Sequence, residues 1–379
     1  MEKIYFDYAS TTPTDPMVVT AMLPFFTEHF GNASSPHHFG REAQKALENS
    51  RETLAKFIGA NRDEIIFTSG GTEANNLALL GVAHKSRAKG DHIIVSTIEH
   101  PSVLETAQYL EKEGFRITYL PVDEYGRVSV EQVQKAVTDK TILISIMHAN
   151  NEIGTLQPIA DIGKFSREKN IIFHVDAVQT VGHLPVQVKA LNADLLSLAA
   201  HKLYGPKGMG ALYVRKGIKI TPHLLGGNQE QGLRASTQNI AGAVGLAKAL
   251  DLCDQNMLPE AATQMNYRNI LMKEIPKRIP GVKLNGHPTE RLPNNCHFAF
   301  EKIQGESLLL SLDMAGIAAS MGSACKAGAM EPSHVLRGIG LSDELSYGAL
   351  RISLGRWTTR AHIDHFLEKL PQCIKQLRP

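Results

Sequence analysis

A lysine and an upstream aspartate are the residues of this sequence whose types and spacing most directly indicate chemistry. Lys202 follows an apolar run, and Asp176 follows the apolar run before it. A lysine amine and a carboxylate at neighbouring strand ends suit pyridoxal phosphate (PLP), because the amine bonds the aldehyde and the carboxylate pairs with the pyridinium nitrogen. Taken alone, Lys202 would be a solvated surface charge, since most lysines are. Its neighbours must therefore support the interpretation.

The segment Ser69-Gly-Gly-Thr-Glu lies between a strand-like run and a helical one and could bind a phosphate. Gly70 and Gly71 let backbone N–H groups approach an anion, which the helix dipole also favours. Thr72 could add a hydroxyl donor, although an ordinary helix N-cap would have the same composition. The segment lacks the glycine patterns of nucleotide and dinucleotide loops. It therefore predicts a phosphate cradle of another kind.

Two further strand ends, at His100 and Asn151, carry polar side chains that suit the same site as Asp176 and Lys202. His100 precedes Pro101 and could cover a flat ring or move protons, or it could be a half-buried structural histidine. Asp176 would be costly to bury without a cation, unless it caps the next helix. Gln179 and Asn151 could hydrogen-bond the ring hydroxyl or a substrate carboxylate.

Among the four cysteines, Cys325 has the sequence context of a reactive thiol. Small residues and two glycines surround it in the run Ser320-Met-Gly-Ser-Ala-Cys-Lys-Ala-Gly-Ala-Met, which predicts a mobile loop that carries the thiol. The adjacent Lys326 favours the thiolate, the reactive form. The remaining cysteines are widely spaced, which fits a reducing compartment, and we expect them to be buried and inert: Cys253, Cys296 and Cys373.

Short apolar runs that alternate with helical stretches predict a doubly wound α/β domain. Such runs are typical of parallel strands covered on both faces. Ligands of these sheets bind beyond the carboxyl ends of the strands, so the polar residues there are expected to form one site. The predicted strands are 65–68, 92–96, 115–120, 141–147, 171–175, 195–199 and 210–214.

The length of 379 residues predicts roughly two domains. We expect a large domain with a doubly wound, mostly parallel sheet over residues 14–256. Residues 1–13 and 257–379 are expected to form a smaller α+β domain that carries the Cys325 loop.

Composition and charge exclude several classes of function. Charged residues are 21% of the chain and the formal net charge is +2, so no basic excess indicates nucleic acid binding. No apolar run of about 18 residues could span a membrane, and no secretory apolar core is evident. We expect a cytoplasmic protein whose partners are small molecules and proteins.

Together these motifs resemble the NifS/IscS family of cysteine desulfurases, within the class V aminotransferases and the fold-type I PLP-dependent enzymes. The resemblance runs almost end to end. Its motifs are Tyr5-Phe-Asp-Tyr-Ala-Ser-Thr-Thr-Pro, Phe30-Gly-Asn-Ala-Ser-Ser, Thr68-Ser-Gly-Gly-Thr-Glu-Ala-Asn-Asn, Asn150-Asn-Glu-Ile-Gly-Thr, His174-Val-Asp-Ala-Val-Gln, His201-Lys-Leu-Tyr-Gly-Pro-Lys-Gly, Gly322-Ser-Ala-Cys and Leu354-Gly-Arg.

The resemblance implies a homodimer and a role for each site residue. Lys202 would be the Schiff-base lysine, His100 the ring-stacking catalytic histidine and Cys325 the catalytic cysteine that forms the persulfide. Asn151 and Arg356 would hold the substrate carboxylate. The implied PLP-binding residues, with Thr237 reaching in from the second subunit, are Gly71, Thr72, His100, Asn151, Asp176, Gln179, His201, Lys202 and Thr237.

The implied reaction converts L-cysteine to L-alanine, leaving a persulfide on Cys325. Sulfur would pass to an iron–sulfur scaffold protein or another acceptor, and an iron–sulfur contact at Cys325 stays open. The alternatives are a selenocysteine lyase, another PLP-dependent lyase or aminotransferase of the same fold, or a catalytically weak homologue that binds scaffold proteins.

The sequence departs from the family pattern at three positions that bear on the cofactor. Ala199 and Ala200 stand where the family commonly has two serines, which removes a hydroxyl that often bonds the phosphate. We expect this loss to weaken PLP binding by about 1 kcal/mol. Ser236 replaces a glycine in the stretch expected to cross the dimer interface.

Overall fold

The computed structural model describes residues 3–322 and 332–378. Its strands are short, as expected for a globular α/β protein. In chain order they are β1 (Ile4–Tyr5), β2 (Ile65–Thr68), β3 (His92–Ser96), β4 (Arg116–Leu120), β5 (Thr141–Met147), β6 (Ile172–Asp176), β7 (Leu195–Ala199), β8 (Gly210–Val214), β9 (Val282–Asn285), β10 (Asn295–Phe300), β11 (Ile317–Ala318) and β12 (Ala349–Ser353).

Helices connect and cover these strands, and three short 3₁₀ turns lie at 62–64, 200–202 and 230–232. Within the described ranges no helix is both long and apolar enough to span a bilayer. The α-helices are α1 (Pro16–Met22), α2 (Pro24–Thr27), α3 (His38–Ile58), α4 (Gly71–Ser86), α5 (Pro101–Lys112), α6 (Val130–Ala136), α7 (Ile159–Glu168), α8 (Ile240–Arg278), α9 (Gly305–Met314), α10 (His334–Gly338), α11 (Asp343–Tyr347) and α12 (Arg360–Leu377).

The main sheet has seven strands in the order β2-β8-β7-β6-β5-β3-β4. Each neighbouring pair from β7 to β4 is parallel, whereas β8 runs antiparallel to both β7 and β2. The predicted doubly wound, mostly parallel sheet is confirmed. Five predicted strands have the observed bounds, and the other two, 115–120 and 171–175, differ by a single residue at one or both ends.

Both faces of this sheet are covered, which explains why most residues of its inner strands are apolar. All seven residues of β5 are buried. One hydrophobic cluster packs α3 and the first half of α8 on one face, and a second cluster packs α4 and α5 on the other. The carboxyl ends of β2, β3, β5, β6 and β7 consequently open at one edge.

A second sheet lies near the carboxyl-terminal part of the chain. Strands β12, β10 and β9 form an antiparallel sheet in that order, and α9 and α12 bury apolar residues in its cluster. The amino-terminal strand joins this region, because β1 pairs in parallel with β11 and Asp7 bridges to Ser353. This arrangement matches the smaller α+β unit expected from sequence.

Helix α8 belongs to both hydrophobic cores. Leu246 and Leu250, near its start, pack in the cluster of the main sheet, and Leu271 and Ile275, near its end, pack in that of the second sheet. The predicted boundary between 256 and 257 falls inside this helix. The division into 14–256 and 1–13 with 257–379 stays a prediction, which the separate clusters support.

The segment before α8 contains a strained residue. Ser236 has φ of +95°, a region where side chains are disfavoured and where glycine is permissive. Around it, Glu230 forms a buried bidentate pair with Arg51, and Arg234 pairs with Glu73 of α4. These anchors hold the backbone of Ser236 in its unfavourable conformation.

Ser236→Gly is expected to stabilise the protein by about 1 kcal/mol, because relief of strain exceeds the added entropy of the unfolded chain. Urea denaturation followed by circular dichroism measures the free energy of unfolding. Ser236→Ala keeps the strain and serves as the control, so a gain of equal size for both variants would contradict the interpretation.

Candidate active site

A cavity of about 690 Å³ opens where the strands of the main sheet end. Its volume lies within the range of small-molecule and cofactor sites. Polar residues that follow five strands meet there, as the sequence predicted from strand ends alone. The predicted site residues that line it are Gly71, Thr72, His100, Asn151, Asp176, Gln179, His201 and Lys202.

Lys202 ends the 3₁₀ turn that follows β7 and points its amine at the amino-terminal segment. Its Nζ donates hydrogen bonds to the backbone oxygens of Ala9 and Ser10, at 2.6 and 2.7 Å. Burial, and secondarily the nearby Arg351 guanidinium, lowers the pKa of Lys202 to about 8. A lysine with a lowered pKa supplies a neutral, nucleophilic amine more readily.

Asp176 is the last residue of β6, and both of its carboxylate oxygens are held. Oδ2 accepts a hydrogen bond from Asn75 Nδ2 at 2.7 Å, and Oδ1 accepts one from the Val178 backbone N–H at 3.0 Å. The Val178 contact closes a turn two residues on, and residues 177–180 form turns instead of a helix. Asp176 therefore does not cap a helix, and its buried carboxylate is placed to bind a cation inside the cavity.

A chain of hydrogen bonds connects Asp176 to His100. Asn75 Nδ2 also donates to Ser102 Oγ, at 2.9 Å, and Ser102 Oγ lies 2.8 Å from His100 Nδ1. The Ser102 backbone N–H donates to the same Nδ1, so the neutral ring carries its proton on Nε2. Burial lowers the pKa of His100 and favours this neutral form. His100 thus caps α5 and also lines the cavity. A structural role and a role beside a flat ring are therefore compatible for this residue.

The start of α4 forms an anion cradle. Gly71 is the first residue of the helix, and within the described chain no side chain caps this end. A Cβ on Gly71 would lie 2.7 Å from Val178 Cγ2, so the backbone can approach this closely only as glycine. Thr72 is exposed beside it. Free N–H groups at the positive end of a helix dipole suit a phosphate.

His201 and Gln179 complete the wall around Lys202. His201 Nδ1 lies 3.1 Å from Thr11 Oγ1, and burial lowers the pKa of His201 to about 4. A neutral imidazole can donate one hydrogen bond to a phosphate. Gln179 Nε2 donates to the Ala9 oxygen that also accepts from Lys202.

The two alanines before His201 lie in different surroundings. Ala199 lines the cavity. A Cβ built on Gly71 would lie 3.6 Å from the Cβ of Ala199. Ala200 is fully buried in the core of the main sheet. A hydroxyl at position 199 would therefore face the anion cradle, whereas one at position 200 would not.

Arg351, which sequence reasoning missed, is a buried arginine that lines the cavity, as the more exposed Arg337 also does. Arg351 lies in the middle of β12, only 2% exposed, and donates to Asp7 Oδ1, Ser10 Oγ and the Asn151 backbone oxygen at 2.7–2.9 Å. A charged residue within the apolar strand Ala349–Ser353 is costly to bury. An arginine between apolar residues could therefore have indicated a functional role from the sequence.

Arg356 does not line the cavity, so its predicted role as a substrate-carboxylate ligand stays a prediction that this placement does not favour. Its guanidinium pairs with Asp15 and Glu260 instead, at 2.7 Å in each case. Its Nε and Nη1 are held by these two carboxylates away from the cavity, whereas Nη2 has no hydrogen-bond partner among the described residues. Thr237 is exposed and does not line this cavity. Its predicted role, to reach the phosphate of a second subunit, concerns a contact between two chains and stays a prediction.

The cysteines divide as the sequence predicted wherever they are described. Cys253, Cys296 and Cys373 are free and buried. Burial raises the pKa of Cys253 and of Cys296 to about 12, which keeps both thiols protonated and inert. Cys325 and Lys326 lie outside the described residues.

Two buried carboxyl groups beside the cavity were also missed. Glu152 Oε2 accepts a hydrogen bond from Ser333 Oγ at 2.6 Å, and burial raises the pKa of Glu152. Glu99 is fully buried next to His100, and burial raises its pKa to about 8. Glu152 stands in the motif Asn150-Asn-Glu-Ile-Gly-Thr and Glu99 directly precedes His100, so their closeness in sequence to predicted site residues could have identified them.

Taken together, the described residues suit PLP. They provide an amine, a buried carboxylate for a ring cation, a helix start for a phosphate and a histidine beside the space between them. The orphan N–H groups at Gly71 and the steric need for glycine there are the features that a phosphate would explain.

Comparisons with known proteins agree with this site. The family model "Aminotransferase class-V" matches residues 4–366. The chain is 54% identical over 379 residues to the cysteine desulfurase IscS of Clostridium botulinum strain Hall, covering all of this chain and 96% of that protein.

Solved structures show the same similarity. A NifS-like protein superposes with a TM-score of 0.93 at 38% identity, covering 99% of this chain and 100% of its own. The structure described as SspA in complex with cysteine has a TM-score of 0.84 at 38% identity, covering 94% and 100%. The chain therefore belongs to the class V aminotransferase family, in its IscS/NifS group of PLP-dependent cysteine desulfurases.

Proposed function

We propose that this protein removes sulfur from L-cysteine, releasing L-alanine and retaining the sulfur as a persulfide on Cys325. The protein is a PLP-dependent cysteine desulfurase. The observation that carries the proposal is the meeting of Lys202, Asp176 and the Gly71 cradle in one cavity, in a chain whose relatives with this name match it end to end.

Each cavity residue has a task in this reaction. When bound, PLP supplies an electron sink for the bond broken at the substrate Cα. Lys202 would hold the cofactor aldehyde carbon and then move the Cα proton, since its pKa near 8 suits a general base. Asp176 would keep the ring nitrogen protonated, and His100 would cover the ring. Gly71, Thr72, His201 and a partner Thr237 would hold the phosphate.

Arg351, in place of Arg356, would bind the substrate carboxylate, with Asn151 beside it. Arg351 lines the cavity with Lys202, and its fork geometry matches a carboxylate. Positive charge from Arg351 also lowers the pKa of Lys202. The anchor for the carboxylate and the reacting amine are therefore close enough to act on one amino acid.

Arg351→Lys is expected to raise the KM for L-cysteine about tenfold to hundredfold, because a point charge replaces a bidentate contact of about 1.5–3 kcal/mol. Steady-state alanine production measures KM and kcat separately. Arg360→Lys alters an exposed pair with Asp364 and is the matched control. An unchanged KM for Arg351→Lys would remove this role.

The destination of the sulfur and the location of the protein are part of the proposal. The relatives named IscS support transfer from Cys325 to an iron–sulfur scaffold protein or another acceptor. A cytoplasmic location fits the free, buried cysteines and the lack of a spanning helix among the described residues. A scaffold that receives sulfur at Cys325 would bring iron close to it.

A homodimer is also proposed, and the exposed apolar side chains support it. Leu23, Phe26 and Phe30 are each 57–63% exposed on one short segment, and Leu225 is 80% exposed in the loop region before α8 that also contains Thr237. Clusters of large exposed apolar residues mark interaction sites. A second copy that covers them would bring its own Thr237 segment along.

The experiment that tests the function adds L-cysteine and dithiothreitol to the PLP-loaded protein. Equal yields of alanine and sulfide are expected. Activity with selenocysteine but none with cysteine, or amino transfer to a keto acid, would replace the proposal with one of its alternatives. Failure to take up PLP would overturn the enzyme assignment itself.

A further inference from the structure

Arg356, which does not line the cavity, lies where three segments of the chain meet near the turn that carries Lys202. Its Nη1 pairs with Asp15 just before α1, and its Nε pairs with Glu260 of α8. Its guanidinium carbon lies 4.2 Å from the ring centre of Tyr204, and its backbone N–H donates to Tyr204 Oη at 2.6 Å. One residue thus joins three distant parts of the sequence.

The charges of this cluster are largely removed from water. The side chains of Arg356, Asp15 and Glu260 are 14%, 11% and 21% exposed. Burying such a group gives little net stability, whereas removing only the arginine would leave two unpaired carboxylates. A cluster of this kind fixes geometry more than it adds free energy of folding.

The cluster connects directly to the turn that carries Lys202. Tyr204 has φ of +65°, and its backbone N–H donates to Thr12 Oγ1 at 2.9 Å. The Tyr204 oxygen accepts from the Asp15 N–H, and the His201 oxygen accepts from the Thr12 N–H, both at 2.9 Å. Residues 12–15 are therefore bonded along residues 201–204.

The same amino-terminal segment holds the lysine amine. The backbone oxygens of Ala9 and Ser10 accept the two hydrogen bonds of Lys202 Nζ. Because the segment from 9 to 15 is continuous, its anchor at Asp15 restrains these two oxygens from one end, while Ser353 and Arg351 hold Ala9 and Ser10 from the other. Arg356 holds that anchor.

We propose that Arg356 is a positioning residue that sets where the Lys202 amine lies, by holding residues 9–15 against residues 201–204. The inference rests on the proposed role of Lys202 as the PLP lysine, although none of the contacts that carry it involves the cofactor. Arg356 acts through Asp15 and Tyr204 and does not touch the cavity among the described residues.

The sequence provides a built-in reporter for this cluster. Trp357 is the single tryptophan of the chain. Its ring lies 5.2 Å from the Tyr204 ring at an angle of 85°. Tryptophan emission therefore reports on the surroundings of Arg356 and Tyr204 without a label.

The test compares Arg356→Met, the triple variant Arg356→Met/Asp15→Asn/Glu260→Gln and the control Arg360→Met. The triple variant contains no unpaired buried carboxylate from the cluster, so it separates positioning from charge balance. The measurements are Trp357 emission, the rate at which an amine reagent labels Lys202 in PLP-free protein, followed by mass spectrometry, and the PLP dissociation constant.

We expect the triple variant to keep the unfolding temperature of the wild type, to label Lys202 about tenfold faster and to bind PLP about tenfold more weakly. Its Trp357 emission should shift, and Arg360→Met should change none of these values. Wild-type labelling and PLP affinity in the triple variant would overturn the inference and leave Arg356 a charge-balancing residue. If the wild type itself takes up no PLP, the proposed function fails, while the labelling rate still decides the role of Arg356.

Discussion

Lys202→Ala is expected to lower the rate of alanine formation from L-cysteine at least about a thousandfold, because one change removes the cofactor-holding amine and the proposed base. PLP should no longer stay with the protein through gel filtration. The fold should persist, since the loss removes a half-buried cation with a pKa lowered to about 8 and not an apolar contact. Alanine release and the absorbance of the eluted protein measure both effects.

Lys207→Ala is the matched control for this experiment. Lys207 follows Lys202 in the run Lys-Leu-Tyr-Gly-Pro-Lys-Gly but is exposed. The control should retain both PLP and turnover. Stable retention of PLP by Lys202→Ala together with normal turnover would remove Lys202 from the mechanism.

Cys325→Ser is expected to abolish desulfuration, with a loss of at least about a thousandfold, while PLP binding stays unchanged. A serine hydroxyl is not ionised at neutral pH and is a far poorer nucleophile toward sulfur than a thiolate. The measurements are sulfide yield with dithiothreitol, alanine yield and PLP content of the same preparation.

Cys373→Ser provides the control for Cys325, because Cys373 is buried and free in the core of the second sheet. It is expected to cost some stability and no turnover per folded molecule. An undiminished sulfide yield from Cys325→Ser would show that another group accepts the sulfur. Loss of PLP from that variant would show that its effect is not confined to sulfur transfer.

The main sheet was predictable because its strands are buried on both faces. The run Thr141–Met147 is apolar at nearly every position, and its observed bounds equal the predicted ones. The predicted strand 171–175 is offset by one residue, since Asp176 pairs with Ser197 in the sheet although it is polar. Propensity cannot show that a functional carboxylate continues a strand.

The two arginines near β12 show where motif reasoning ended. Arg351 and Arg356 lie close in sequence. Because Arg356 belongs to the Leu354-Gly-Arg motif, the sequence analysis assigned it, and not Arg351, to the substrate carboxylate. Which of them reaches the cavity depends on the pairing of β12 with β10 and on the ion pairs with Asp15 and Glu260. Those partners are distant in sequence, so only the assembled structure separates the two roles.

Ser236 shows a different limit. Its departure from glycine was visible in the sequence, but its backbone strain was not. The φ angle depends on ion pairs that the same segment makes with Arg51 and Glu73 on other elements. The phosphate cradle was more accessible, since Gly70 and Gly71 follow a strand directly and a helix begins there. Local features were predicted, and those fixed by remote contacts were not.

The pairing of β1 with β11 also dictates the order in which the protein can be completed during translation. Residues 4–10 leave the ribosome long before Ile317 and Ser353, the residues on which this segment docks, have been made. Docking across such a separation is slow, since the intervening chain must first fold. Residues 12–15 can bond along residues 201–204 before that point, so the contacts expected to form last are those of residues 4–10, which include the carbonyl oxygens of Ala9 and Ser10 beside Lys202.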